Sequence, residues 1–212
     1  MKNSGILLVI VVFFSKASFA QTNCAMKLER DSIKIYTCDL PGSNFKAVKA
    51  SFQVRSSLSQ LAAMILDIDH YGAWQYKTLS ARILNKISER EIIYYTEIIA
   101  PVLTNNRDFV IQLTISQNPH SKEMIIDAVT IPGHVIPKEN VIRVSYSKAR
   151  WTVKPLASNL LQVDYYIELD LGGSAPPWLV NLVAPQAPYE TFKDLKEKIG
   201  NYKGSNVLFI RD

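Results

Sequence analysis

A chain of 212 residues, 48% hydrophobic and 20% charged, is long enough for one domain with a sizeable core. That composition excludes disordered and collagen-like classes. A net charge of +5 is too mild to argue for nucleic acid, and the ten prolines and eight glycines form no low-complexity linker.

The N-terminus reads as a leader. Lys2 precedes an apolar run from Gly5 to Phe14, and Ser18-Phe19-Ala20 supplies the small residues a signal peptidase reads. Residues 1–20 are therefore expected to be a signal peptide, cleaved after Ala20, with residues 21–212 forming one domain. The alternative is a membrane anchor, for which the run is short, since a span needs about 20 residues. Cleavage would remove Lys2 and Lys16 and no acid, leaving 22 basic against 19 acidic residues, a net +3. That permits weak attraction to an anionic membrane and no more. The expected location is periplasmic or secreted. In such an oxidising compartment Cys24 and Cys38 are expected to pair, and two free thiols remain the alternative.

Ile33 to Tyr36 forms a short strand, and Leu40-Pro41-Gly42-Ser43-Asn44 turns the chain. Val48, Ala50, Phe52 and Val54 alternate with polar residues, so the next strand has one buried face. Ser57-Leu58-Ser59-Gln60 is a capping box, and Leu58, Leu61, Ala62 and Ile65 continue at helical spacing. A second short helical segment covers Asp67 to Trp74.

Strands then follow to residue 170. Ala81–Ile87 and Glu91–Ile98 make a hairpin. Phe109, Ile111, Leu113 and Ile115 share one face of the next strand. Glu123–Thr130, Val141–Val153 (ending before Pro155) and Leu160–Leu169 complete the set. On the last, Leu161, Val163, Tyr165, Ile167 and Leu169 form the apolar face. Gly172-Gly173-Ser174 breaks the pattern, and Pro176-Pro177 opens one long helix that Pro185 and Pro188 interrupt. Trp178, Leu179, Val183, Phe192, Leu195 and Ile199 form its apolar stripe, with Trp178 expected as the largest anchor. The fold class is α+β. A curved antiparallel sheet needs its concave face covered, and only this helix is long enough to cover it.

The chain carries no nucleophile elbow, phosphate loop or dinucleotide fingerprint. His70, His120 and His134 are scattered, so no metal site and no cofactor are expected. What remains is apolar and aromatic surface on the strands. Residue by residue it packs as core; taken together it suits a cup that encloses a hydrophobic ligand.

Two segments carry a resemblance. Tyr94-Tyr95-Thr96-Glu97-Ile98-Ile99-Ala100-Pro101 runs on through a loop to Arg107-Asp108-Phe109-Val110. Leu169-Asp170-Leu171-Gly172-Gly173 leads through Pro176-Pro177-Trp178 into the C-terminal helix. With Trp74, Arg143 and Trp151-Thr152-Val153-Lys154-Pro155 in order between and before them, the chain over roughly residues 28–200 resembles the START lipid-transfer family, as a bacterial exported member.

The resemblance implies a helix-grip fold, a tunnel for one lipid or other hydrophobic molecule, and no enzyme activity. A cyclase-like enzyme on the same fold, with Glu97, Arg107 and Tyr95 as acid–base groups, is the alternative. A filled interaction module is the third reading. The implied lining comprises Trp74, Tyr95, Glu97, Arg107, Ile111 and Leu113 from the first half of the chain. Val144, Tyr146, Val163, Tyr165 and Ile167 follow, with Trp178 and Val183 from the helix. Pro101, Val102 and Leu103 would form a gate with the helix and touch membranes transiently. The chain is expected to act as a monomer. Glu97 matches a tunnel carboxylate of some members, whose arginine partner would fall near Leu113. Without that partner a buried Glu97 would be neutral; the alternatives are that Arg107 substitutes for the partner or that Glu97 faces solvent.

Overall fold

The computed structural model describes residues 23–100, 105–157, 159–173 and 176–212. The expected leader (1–20) and the expected gate residues Pro101, Val102 and Leu103 lie outside the described residues. Ten strands form one sheet: β1 Cys24–Arg30, β2 Ile33–Asp39, β3 Lys46–Val54, β4 Thr78–Lys86 and β5 Glu91–Ile98. The others are β6 Asn106–Gln117, β7 Met124–Thr130, β8 Val141–Arg143, β9 Tyr146–Ala157 and β10 Leu160–Asp170. The order is β1-β2-β3-β10-β9-β7-β6-β5-β4, with β8 parallel to the start of β6. Helix α1, Leu58–Leu66, and a 3-10 turn, Ile68–Ala73, bridge β3 to β4. The C-terminus folds as α2, Pro177–Val183, and α3, Gln186–Lys198.

Three elements depart from the sequence expectation. β1 is an added edge strand. It joins β2 through Asp31 and Ser32, both at positive φ (52° and 60°), the signature of a tight two-residue hairpin turn. Cys24 opposes Cys38 in this pair and the two form a disulfide. The stretch expected as one strand from Val141 to Val153 is two, since Ser145 is non-sheet and only the second half pairs with β10. β9 also passes Pro155 and ends at Ala157. A register shift at Leu160–Leu161 takes up the ladder bond that a proline cannot donate. The terminal helix is divided at Ala184–Pro185.

Cross-strand register fixes the two faces, because directly opposed residues of antiparallel strands point the same way. Phe52 opposes Val163, Val163 opposes Val153, and Val153 opposes Met124. Ala128 opposes Leu113, and Leu113 opposes Ile92. These residues, Ala128 excepted, belong to the main apolar cluster on the concave side. The other parity carries Gln53, Gln162, Lys154 and Gln112.

Helix α3 closes this core. Phe192 stacks on Phe52 at 4.7 Å between centroids and meets Trp151 and Tyr165 edge-on, each at 5.2 Å. Tyr189, Leu195 and Ile199 are buried with it. Among the described residues no helix is long and apolar enough to cross a membrane.

Candidate functional site

The concave face carries an aromatic floor. Tyr71 packs edge-on against Trp74 at 5.1 Å and Tyr94 at 5.6 Å. Trp151 packs edge-on against Tyr165 at 5.1 Å. Burial pushes the Tyr94 and Tyr165 hydroxyls well above the usual phenol range. They stay neutral and can only exchange hydrogen bonds. Of the expected lining residues, the structure gathers Trp74, Leu113, Val163 and Tyr165 here, with Ile111 and Ile167 partly buried against the same cluster.

Tyr95 and Glu97 go to the other side. Glu97 opposes Asp108 and Tyr95 opposes Val110, one step out of phase with Tyr94. In a strand one step reverses the face, so neither residue lines the cup. Tyr94 and Thr96 take the concave positions instead. Tyr95 joins Ile93 and Val110 in a second small cluster on the convex side. The segment from Ile131 to Asn140 covers it, through Ile131 and Val135.

That cover is pinned by charge. Lys138 Nζ lies 2.7 Å from Glu97 Oε2 and 5.0 Å from the Tyr95 ring centroid. The Tyr95 hydroxyl and the Asn106 amide also donate to Glu97, at 3.2 and 3.1 Å. Arg143 grips Asp108 with two bonds, 2.7 and 3.0 Å, and donates to the Val135 carbonyl. The Lys138 ammonium holds the Glu97 carboxyl below its ordinary value of 4.5, so Glu97 is ionised, which corrects the neutral state expected of a partnerless tunnel acid. Lys138 lies 41 residues away along the chain, so no local spacing pointed to it.

A depressed carboxyl stabilises the fold above its ordinary value and ceases to do so as pH falls through the lowered one. The stability difference between wild type and Lys138→Met is therefore expected to be widest near neutrality and to close below pH 4.5. Urea titrations followed by circular dichroism at several pH values measure it. A gap independent of pH would show that Lys138 acts by packing alone.

Tyr146 is half exposed, on the convex parity, with its hydroxyl 2.6 Å from Glu168. It lines a shallow outer groove of about 380 Å³ with Leu40, Phe45 and Leu169, not the cup. Its neighbour Ser147 holds the inward position, opposite Leu169. Val144 is buried in the turn after β8, where its N–H donates to the Asp108 carbonyl.

Trp178 is 69% exposed and Leu182 71% exposed, so Trp178 is not the helix anchor; Phe192 is. Val183 is half-buried. The reason lies in the break at Pro185. It lets α3 seat its stripe on the floor while α2 follows its own direction. Two polar contacts hold α2. The Asn181 amide donates to the Asn44 carbonyl and its Oδ1 accepts from the Lys46 N–H, each at 3.0 Å.

The hinge before α2 is built for close approach. Gly172 and Gly173 sit at φ +64° and +72°, and a Cβ on Gly173 would come within 2.6 Å of Ile142 Cδ1. Arg107 reaches this hinge from β6. Its Nε and Nη2 donate to the carbonyls of Leu171 and Gly172, both at 3.4 Å, and its Nη1 donates to the Asn105 carbonyl. Arg107 opposes Ile98 and lies beside Ile142, which puts it on the concave parity at the mouth of the cup.

Among the described residues no cluster of His, Cys, Asp and Glu is arranged to hold a metal.

Comparison with known proteins agrees with this architecture. The START domain model matches residues 21–204. An uncharacterised protein of Pseudomonas aeruginosa is 25% identical over 168 residues, covering 79% of this chain and 82% of its own. The mouse phosphatidylcholine transfer protein is 24% identical over 192 residues, 88% of each chain. The crystal structure of a STAR-related lipid transfer protein fragment from Xanthomonas axonopodis superposes with a TM-score of 0.77 at 20% identity, over 84% of this chain and 98% of that one. The large antiparallel sheet gripping a C-terminal helix is the helix-grip fold, and the chain belongs to the START domain family.

Proposed function

We propose that this protein encloses one lipid or similarly hydrophobic molecule between its sheet and C-terminal helices and exchanges it with membranes. The division of the terminal helix carries the reading. α3 is anchored by Tyr189, Phe192 and Leu195, whereas no described side chain of α2 is fully buried. Hydrogen bonds like the two of Asn181, one exposed and one part-buried, contribute only about 1 kcal/mol each, so α2 can lift while α3 stays seated. Trp178 and Leu182 stand exposed beside Lys27, Arg30 and Lys46 along one groove. Aromatic and basic side chains together suit a brief contact with an anionic bilayer. The gate at Pro101 to Leu103 and a monomeric state belong to the same proposal. So does a periplasmic or secreted location, which the disulfide supports.

A cyclase-type enzyme on this fold would need acid–base groups facing its substrate. Glu97 and Tyr95, two of the three candidates, face the convex side, so the geometry favours the binding protein.

Native mass spectrometry of the protein from its own host is expected to show a bound lipid mass. The delipidated protein should move a fluorescent phospholipid between vesicles, and Asn181→Ala should speed that exchange severalfold. A delipidated, folded protein that neither takes up nor moves any lipid would overturn the reading.

A further inference from the structure

Arg107 is 2% exposed, yet it has no carboxylate within ion-pair distance among the described residues. Two neighbouring acids are committed elsewhere, Asp108 to Arg143 and Glu97 to Lys138. A buried cation is ordinarily paired, because desolvating it alone is costly. Burial also pulls the Arg107 guanidinium below its usual range. Its partners are three carbonyl oxygens, two of them at 3.4 Å, the long limit of a hydrogen bond. A guanidinium has five N–H donors: one makes a short bond to the Asn105 carbonyl, two make long ones, and two have no acceptor among the described residues.

The surroundings repeat this surplus of donors. Thr78 opposes Ile98, and Ile98 opposes Arg107, so the three lie in one row across β4, β5 and β6 on the concave parity. Thr78 Oγ1 is buried without a partner, and so is Trp74 Nε1, four residues earlier on the same connection. An indole N–H only donates, and a guanidinium only donates. The complement of such a set is a group that only accepts. Ionised carboxylates and phosphates are acceptor-only and match the guanidinium fork in shape. A sterol hydroxyl or a neutral amide would leave the charge unbalanced.

We propose that Arg107 is the headgroup site of the cup and takes the anionic oxygens of a carboxylate or phosphate amphiphile, with Thr78 as an additional donor. The inference rests on the lipid-binding reading above and adds the ligand's charge. The tail would extend from the mouth toward the floor of Tyr71, Tyr94 and Trp151. Because Arg107 also holds the Leu171 and Gly172 carbonyls, the head would sit under the hinge of α2.

The test uses the wild-type mature protein and needs no variant to be interpretable. cis-Parinaric acid and its methyl ester differ only in the charge of the head, and their fluorescence reports burial. At pH 8 the acid is expected to bind about tenfold more tightly than the ester, the scale of one charge-assisted hydrogen-bonded pair. Arg107→Met, which keeps the stem and removes the charge, should bring the two within about twofold while ester binding persists. Thr78→Val should reduce the preference less. Competition by phosphatidic acid against oleic acid then distinguishes phosphate from carboxylate, and preference for either over diacylglycerol supports the site. Equal binding of acid and ester by the wild type would overturn the headgroup site and leave the lipid-binding reading intact. Binding of neither by folded protein would overturn both.

Discussion

Phe192→Ala is expected to lower unfolding free energy by about 3–5 kcal/mol, the usual loss when a buried aromatic is truncated to alanine. Phe192 touches three aromatic residues of the concave face, Phe52 of β3, Trp151 of β9 and Tyr165 of β10. Deleting it removes the helix's largest seat and leaves a cavity that stacked and edge-on rings cannot collapse to fill. Trp178→Ala, a larger truncation on the same terminal stripe, should fall within about 0.5 kcal/mol of wild type, because the residue is 69% exposed. Chemical denaturation of the two variants in parallel reads both. A Trp178→Ala penalty equal to that of Phe192→Ala would mean that α2 is packed in solution, and the division of the helix into seat and cover would fail.

Leu113→Arg and Gln112→Arg should differ as sharply, although they are adjacent. Leu113 is buried in the main cluster, opposite Ile92 and Ala128. A guanidinium there has no acid facing it and must be desolvated or must push the sheet apart, costing on the order of 3–5 kcal/mol. Folding and lipid uptake should both be lost. Gln112 projects to the other face, where its amide already donates to Glu91. An arginine in its place gains that carboxylate as a partner, and stability should stay within about 0.5 kcal/mol of wild type. Melting curves together with fluorescent-lipid uptake separate the two outcomes. Tolerance of Leu113→Arg with damage from Gln112→Arg would reverse the faces of β6 and everything built on them.

Much of this architecture is legible in the linear chain, for a physical reason. Strands half-buried on a curved sheet alternate with period two, as the apolar residues of β3 do, whereas the start of β6, Arg107 to Val110, is buried on both faces. The capping residue Ser57 does accept from the Gln60 N–H and starts α1 where the pattern placed it. β1 escaped because its side chains are almost all exposed, so no alternation marks it, and its turn uses Asp31-Ser32 without a glycine. The loop signals near Pro185 announced a weak helix, but not that one half would seat and the other stand free. That depends on which rings meet the floor, a property of three strands from distant parts of the chain.

The candidate site divides the same way. Sequence alone determined the family, the α+β helix-grip plan, the concave parity of Leu113, Val163 and Tyr165, and an Arg-Asp pair opening β6. Tertiary structure decided the rest. It turned Tyr95 and Glu97 outward, because a strand's facing is set by the register of its neighbours, and a shift of one residue reverses it. It supplied Glu97 with Lys138 from the covering segment and Asp108 with Arg143 from β8, placements that no local pattern encodes. Arg107 sits beneath Gly172–Gly173 with no acid within ion-pair distance among the described residues, because burial and pairing are decided only when distant elements pack.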